Sequence, residues 1–294
     1  MPQVWTMTNR LTRRCFRLGV VGTIAPLCLG GMQILSDRAI AQIIPDTTLG
    51  AEPAIVTPTP NVRGLPGILI RGGARRGANL FQSFSDFNVG AGQRVYFANP
   101  AGVETILSRV TGRNPSSILG TLGVDGLASL FLINPNGILF GQNARLDIAG
   151  SFVATTADRL EFGNGLSFSA TNPQAPPTLT VNLRPGLQYG NNYRGDITNA
   201  GTLVVGAGQT LVLAGRSVTS TGLLATPGGT VQMLGDRVAL LENARIDVSS
   251  TVGGGTVLIG GDFQGQGPLP TARETFVASN VTINADGLTI LRPT

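Results

Sequence analysis

At 294 residues the chain is long enough to bury a substantial core, and 42% hydrophobic with 13% charged residues is too apolar for disorder. Its 41 glycines and 18 prolines exclude a framework of long helices and favour short strands joined by tight turns. The formal charge of +5 rests on 21 arginines, five of them before residue 42; beyond it 16 arginines face 15 acids, which leaves no basic footprint for nucleic acid.

Residues 1–41 read as a secretory signal. Arg10, Arg13, Arg14 and Arg17 form a basic start, and Leu18 to Leu35 is apolar but interrupted by Gly22, Pro26, Gly30 and Gly31. A membrane anchor needs about 20 uninterrupted apolar residues. Ala39 and Ala41 supply the small-x-small pattern for cleavage before Gln42. Arg13-Arg14 lacks the context of the twin-arginine route, and Leu27 before Cys28 argues against lipidation. Both cysteines, Cys15 and Cys28, fall in this segment, so the processed chain has no disulfide or cysteine-ligated metal. Histidine is absent throughout, which removes His-dependent triads and His-metal sites. No catalytic residue, cofactor or metal site is expected.

Residues 42–79, with Pro45, Pro53, Pro58, Pro60 and Pro66 between short apolar pairs, suit an extended arm or N-terminal cap. Gly72 to Gly77 reads as a solvated turn, since a phosphate cradle would need a Lys-Ser/Thr ending and a following helix. Gly102 to Val110 is the one helix candidate, because Val103, Ile106, Leu107 and Val110 fall at helical spacing. Elsewhere in residues 80–294 strand alternation and turn chemistry dominate.

Leu130 to Gly141 is the stretch around which the chain is organised. Two apolar runs flank Asn134-Pro135-Asn136-Gly137: proline suits the second turn position, Asn136 and Gly137 tolerate φ > 0, and Asn134 can bond the backbone two residues on. Gly137→Val is expected to strain the backbone, and Asn134→Ala to cost about one hydrogen bond, ~1 kcal/mol.

Internal repeats set the architecture. Val89-Gly-Ala-Gly-Gln93 recurs at Val205–Gln209, and Asn143-Ala-Arg-Leu-Asp-Ile148 recurs at Asn243–Val248. A third family starts at Thr210, Thr230 and Thr256, a spacing that reads as an imperfect solenoid. Period two puts Leu211, Val231 and Val257 on one face with Leu213, Met233 and Ile259, while Val212, Gln232 and Leu258 point the other way. Stacked in parallel, the first two sets become aliphatic columns, and Gln232→Asp is expected to be nearly silent. The fold class expected is all-β, a right-handed parallel β-helix with an N-terminal cap and small extra β elements. Asp147 and Asp247 follow arginines by two residues, suggesting surface pairs with Arg145 and Arg245.

Phe131 to Ala157, including the Asn-Pro-Asn-Gly turn, resembles the secretion domain of two-partner-secretion exoproteins, the filamentous-haemagglutinin family. Asn79–Val89, Tyr96–Gly102 and Ile118–Gly126 resemble the same domain. The resemblance implies a chain that crosses the inner membrane on its signal and meets a partner outer-membrane β-barrel transporter. Folding at the cell surface would follow, with only transient membrane passage. It implies that Asn134, Pro135, Asn136, Gly137 and Ile138 form the secretion motif, with Asn99 and Pro100 a more variable second one. These turns either initiate coils, meet the partner, or do both. Family exoproteins continue into a repetitive passenger with adhesive activity, so a host or cell-surface glycan or protein is expected to meet a region beyond this chain. The alternative is a β-helix carbohydrate-active enzyme, a polysaccharide lyase or hydrolase. Its requirement for gathered carboxylates contrasts with the singly spread aspartates here.

Overall fold

The computed structural model describes residues 42–162, 165–176 and 192–289. Residues 1–41, read above as a signal and including Ala39 and Ala41, lie outside the described residues. Among them no helix is long and apolar enough to cross a membrane.

From Asn79–Phe87 onward the chain climbs by repeating short strands into three sheets. The first sheet stacks Asn79–Phe87, Thr105–Val110, Ser129–Ile133, Phe152–Thr155, Thr210–Ala214, Thr230–Leu234 and Thr256–Ile259 in parallel. The second runs from Ser116–Ile118 to Glu274–Val277, and the third from Leu65–Gly72 to Thr282–Asn284. This is a parallel β-helix, and crossovers between parallel strands of one sheet give the coil its right hand. The register aligns Leu211 with Val231 and Val257, and Leu213 with Met233 and Ile259, as the repeats require. Leu211, Leu213, Val231 and Met233 are buried in one continuous interior core.

Antiparallel strands close the first coil. Ile43–Pro45 and Ala74–Arg76 both pair with Asn79–Phe87, and Ala54–Val62 forms a hairpin with Leu65–Gly72. The glycine-rich run from Gly72 to Gly77 is therefore the frame of a short hairpin, with Arg76 paired to Glu52 at 2.7 Å. Inside, Phe84, Phe87 and Phe97 pack with centroids 5.2–6.3 Å apart.

The outward face of the first sheet is not solvated. Phe81, Leu107, Phe131, Val153 and Val212 form a second core with a hairpin of Arg159–Glu161 and Ser167–Ser169, and Phe168 meets Phe81 edge-on at 4.9 Å. Two expectations change as a result. Gln232 is half-buried and engaged by a polar contact, so an aspartate there would not be silent. The helix expected over Gly102 to Val110 is instead the strand Thr105–Val110, buried on both faces. Ile106 faces the interior core and Leu107 the outer one, so apolar residues run on without alternation and imitate helical spacing.

The repeats divide into two kinds. Arg145–Asp147 and Arg245–Asp247 both lie in the third sheet, so the Asn-Ala-Arg motif marks one position of the coil. The Val-Gly-Ala-Gly-Gln motif instead leads once into the third sheet and once into the first. What it repeats is a turn: Gln93 N–H donates to Gly90 O at 3.1 Å and Gln209 N–H to Gly206 O at 3.2 Å, with Gly92 and Gly208 both at φ 72°.

Candidate functional site

The Asn134-Pro135-Asn136-Gly137 turn sits where the chain passes from the first sheet to the second, between Ser129–Ile133 and Ile138–Phe140. Gly137 N–H closes it on Asn134 O at 3.1 Å, and Asn136 N–H donates to Asn134 Oδ1 at 3.0 Å. Only Gly137 adopts φ > 0, at 122°; Asn136 does not, contrary to the reading of the turn from its residue types.

Asn134 is fully buried, and its amide does more than cap the turn. Nδ2 donates to Asn114 O and to Ser116 Oγ, both at 3.0 Å, while Oδ1 also accepts from Asn136 Nδ2 at 3.1 Å. The side chain thus pins its own turn to the preceding coil. The backbone extends the tie both ways: Ser116 N–H donates to Gly137 O, and Ile138 N–H to Asp196 O, each at 3.0 Å. Gly195 of the next coil lies flat on the turn, where a Cβ would approach Gly137 N to 2.5 Å. Removing the Asn134 amide breaks several hydrogen bonds at once and leaves the buried Ser116 hydroxyl without this partner, so its cost is about 2–3 kcal/mol rather than that of one bond.

Pro135, Gly137 and Ile138 are buried with Asn134, which leaves Asn136 as the exposed side chain of the turn, followed by Leu139 at 40% exposure. Asn136 Nδ2 also reaches Gly112 O at 2.9 Å. These two residues line a groove of about 720 Å³ that crosses four coils, with Arg113, Arg194 and Thr198 among its walls. Arg216 and Asp196 pair across its end at 2.9 Å; their hydrogen bond outweighs burial and holds the Asp196 carboxyl below its ordinary pKa.

Asn99 and Pro100 occupy a different corner, between the third sheet and the first, so the two motifs do not share a surface turn. Asn99 Nδ2 donates to Val103 O at 2.8 Å, and Oδ1 accepts from Leu127 N–H at 2.9 Å and Ala128 N–H at 3.0 Å. It ties its turn to that of the next coil, where Asn134 ties its turn to the preceding one, and Pro100 is exposed. Gln42, the first described residue, accepts a bond from Asn88 N–H at 3.0 Å.

Sequence reasoning missed a polar cluster around Arg109, an arginine with no measurable exposure. Its guanidinium donates to Ser83 Oγ at 2.9 Å, Ser169 O at 2.9 Å and Thr48 Oγ1 at 2.8 Å, and lies 4.3 Å over the Phe168 ring. Burial pulls its pKa down to about 10, against the opposing charge of Asp46. Asp46 accepts from Thr48, Ser83 and Thr111; burial works to raise its pKa, but these bonds leave it lowered. No motif marks this cluster in the sequence. Asp147 likewise departs from the expected pairing: Tyr96 OH donates to it at 2.7 Å and Arg63 sits at 3.3 Å, whereas Arg245 and Asp247 do pair, at 2.6 Å.

Residues 41–287 match the model of the TPS secretion domain. A heme/hemopexin-binding protein of Haemophilus influenzae is 42% identical over 82 residues, 27% of this chain and 9% of that protein. A second from the same species is 36% identical over 75 residues, covering 26% and 8%. The matches thus span less than a tenth of these curated relatives. Among solved structures, the HMW1 secretion domain of Haemophilus influenzae is 21% identical, with 80% of this chain and 83% of that one covered and a TM-score of 0.38. The filamentous hemagglutinin secretion domain is 18% identical, with coverage of 82% and 99% and a TM-score of 0.31.

Proposed function

The chain belongs to the TPS secretion domain family, and from that premise we propose that it directs export through a partner outer-membrane β-barrel transporter and folds at the cell surface. The observation that carries this reading is the family match across residues 41–287. The architecture is compatible with it. A processed chain without cysteine carries no disulfide to block threading, and each coil can add to the one before as it emerges. The family is one of secretion domains rather than enzymes. Cleavage before Gln42 delivers the chain to the periplasm, and the product is surface-bound or secreted. An adhesin-like activity belongs to the exoprotein as a whole.

Within this reading the two asparagines of the turn divide the work. Asn134 shapes the turn from inside, and Asn136 offers the exposed amide to the transporter. Asn99 shapes its own corner in the same way, beside the exposed Pro100. The test compares secreted yield, in cells that carry the partner barrel, with the denaturant midpoint of the purified protein. Asn136→Ala is expected to lower yield while the midpoint stays in place; Asn134→Ala lowers both. Normal secretion of Asn136→Ala would assign the turn a structural role alone. Intact mass of the exported protein should begin at Gln42 and lack both cysteines.

A further inference from the structure

The groove beside the turn carries an uncompensated positive charge that nothing in the fold explains. Arg113 and Arg194 are exposed on its walls, and among the described residues neither has a carboxylate within 4.0 Å. Further along the same corner the charges balance. Arg216 pairs with Asp196, Arg237 pairs with Glu274, and Asp236 and Arg273 complete an alternating set. The excess is therefore local to the groove.

The rest of the lining is polar and small. Thr171 and Thr198 present hydroxyls, Asn136 an amide, and the half-exposed Leu139 a short apolar step. The groove has no aromatic side chain, so it lacks the stacking platform that single-stranded nucleic acid requires. The second-sheet strand at the groove, Ile138–Phe140, is paired on both sides, so no sheet edge is free there to receive a peptide strand. Alcohol and amide groups around a pair of free guanidinia match a ligand rich in hydroxyls that also carries an anion. A volume of about 720 Å³ admits a few sugar rings.

We propose that this groove binds a short acidic oligosaccharide. Arg113 and Arg194 hold its carboxylate or sulfate, and Thr198, Thr171 and Asn136 meet its hydroxyls. The inference shares Asn136 with the proposed export role but rests on the groove arginines, and it concerns this domain itself.

Calorimetric titration of the purified protein with trigalacturonate, a sulfated trisaccharide, neutral maltotriose and triglutamate tests it. A charged trisaccharide should bind saturably, one per chain, and more weakly as salt rises; whichever charged sugar binds better identifies the anion. Maltotriose should not bind. Arg113→Gln and Arg194→Gln should each weaken binding by about tenfold, the scale of one charge-assisted hydrogen bond, without moving the thermal midpoint. Arg145→Gln, exposed on the third sheet, should leave binding unchanged. Failure of both charged sugars to bind, equal binding of maltotriose, or indifference to both groove arginines would overturn the proposal. Tighter binding of triglutamate would assign the groove to an acidic peptide instead.

Discussion

The two ends of the solenoid are built differently. At the N-terminal end, antiparallel strands cover the first coil, three phenylalanines fill it, and Arg109 ties strand, cap and outer hairpin together. The outermost strand there, Ala54–Val62, carries Pro58 and Pro60, which lack the N–H that a further strand would need. At the other end, Thr256–Ile259, Glu274–Val277 and Thr282–Asn284 are the last strands of their sheets among the described residues. Glu274–Val277 is exposed along its whole length, and Val257 and Ile259 are only partly buried. Among the described residues one end is covered by antiparallel strands and the other finishes in exposed strands. Burial, rather than strand count, separates the two.

The largest effect should come from the covered end. Phe84→Ala, at the centre of the aromatic group, is expected to cost about 3–5 kcal/mol in denaturant unfolding. A cost below about 1 kcal/mol would mean that the first coil does not limit stability. Next in size is a contrast within one column of the second sheet, where Leu240 lies in register with Val277. Leu240 is fully buried and Val277 is 46% exposed. Leu240→Ala should cost about 2–5 kcal/mol and Val277→Ala under about 1 kcal/mol, measured by thermal or denaturant midpoints. Equal costs would erase the distinction between the ends.

Between these values falls Gly137→Val, which forces a branched side chain into φ 122° against Asp196 O. A loss of about 1–3 kcal/mol is expected, the range for a strained backbone position. The smallest effect sharpens the comparison by pH. The folded pKa of Asp46 lies below its ordinary value, so below that ordinary value the unfolded chain binds the proton more readily. The contribution of this carboxylate is complete above the unfolded pKa, near 3.9, and is lost as pH falls through the folded one. Hydrogen exchange followed from about pH 5 downward should show acid loosening first around Thr48, Ser83 and Thr111. Asp46→Asn should flatten that response, and an unchanged pH profile would remove Asp46 from the account.

What the sequence made legible was the part governed by period two. The aliphatic columns through Leu211 and Leu213 followed from alternation, because one face of those strands looks into the tube. Thr105–Val110 was illegible for the converse reason: with a core on each side, its pattern carries no alternation to read. The second core depends on a hairpin inserted between coils, which no repeat announces. Arg109 stayed hidden because a lone arginine in an apolar run gives no sign of which hydroxyls and carbonyls converge on it. At the turn, residue types located the bend and its glycine. That Asn134 faces inward depended on the neighbouring coil, which local sequence does not contain.

The reach of Arg109 has a consequence in time. Its partners Thr48 and Ser169 lie 61 and 60 residues away, on opposite sides of it along the chain. A chain that left a pore N-terminal end first would deliver Thr48, then the guanidinium, and the carbonyl of Ser169 a further 60 residues on. Until that carbonyl arrives the charge must stay hydrated, and the outer face of the first sheet stays uncovered. Under the proposed export the cluster would therefore act as a clock in the sequence. In such an order the N-terminal coils could form early, but the guanidinium would be locked only once residue 169 is out.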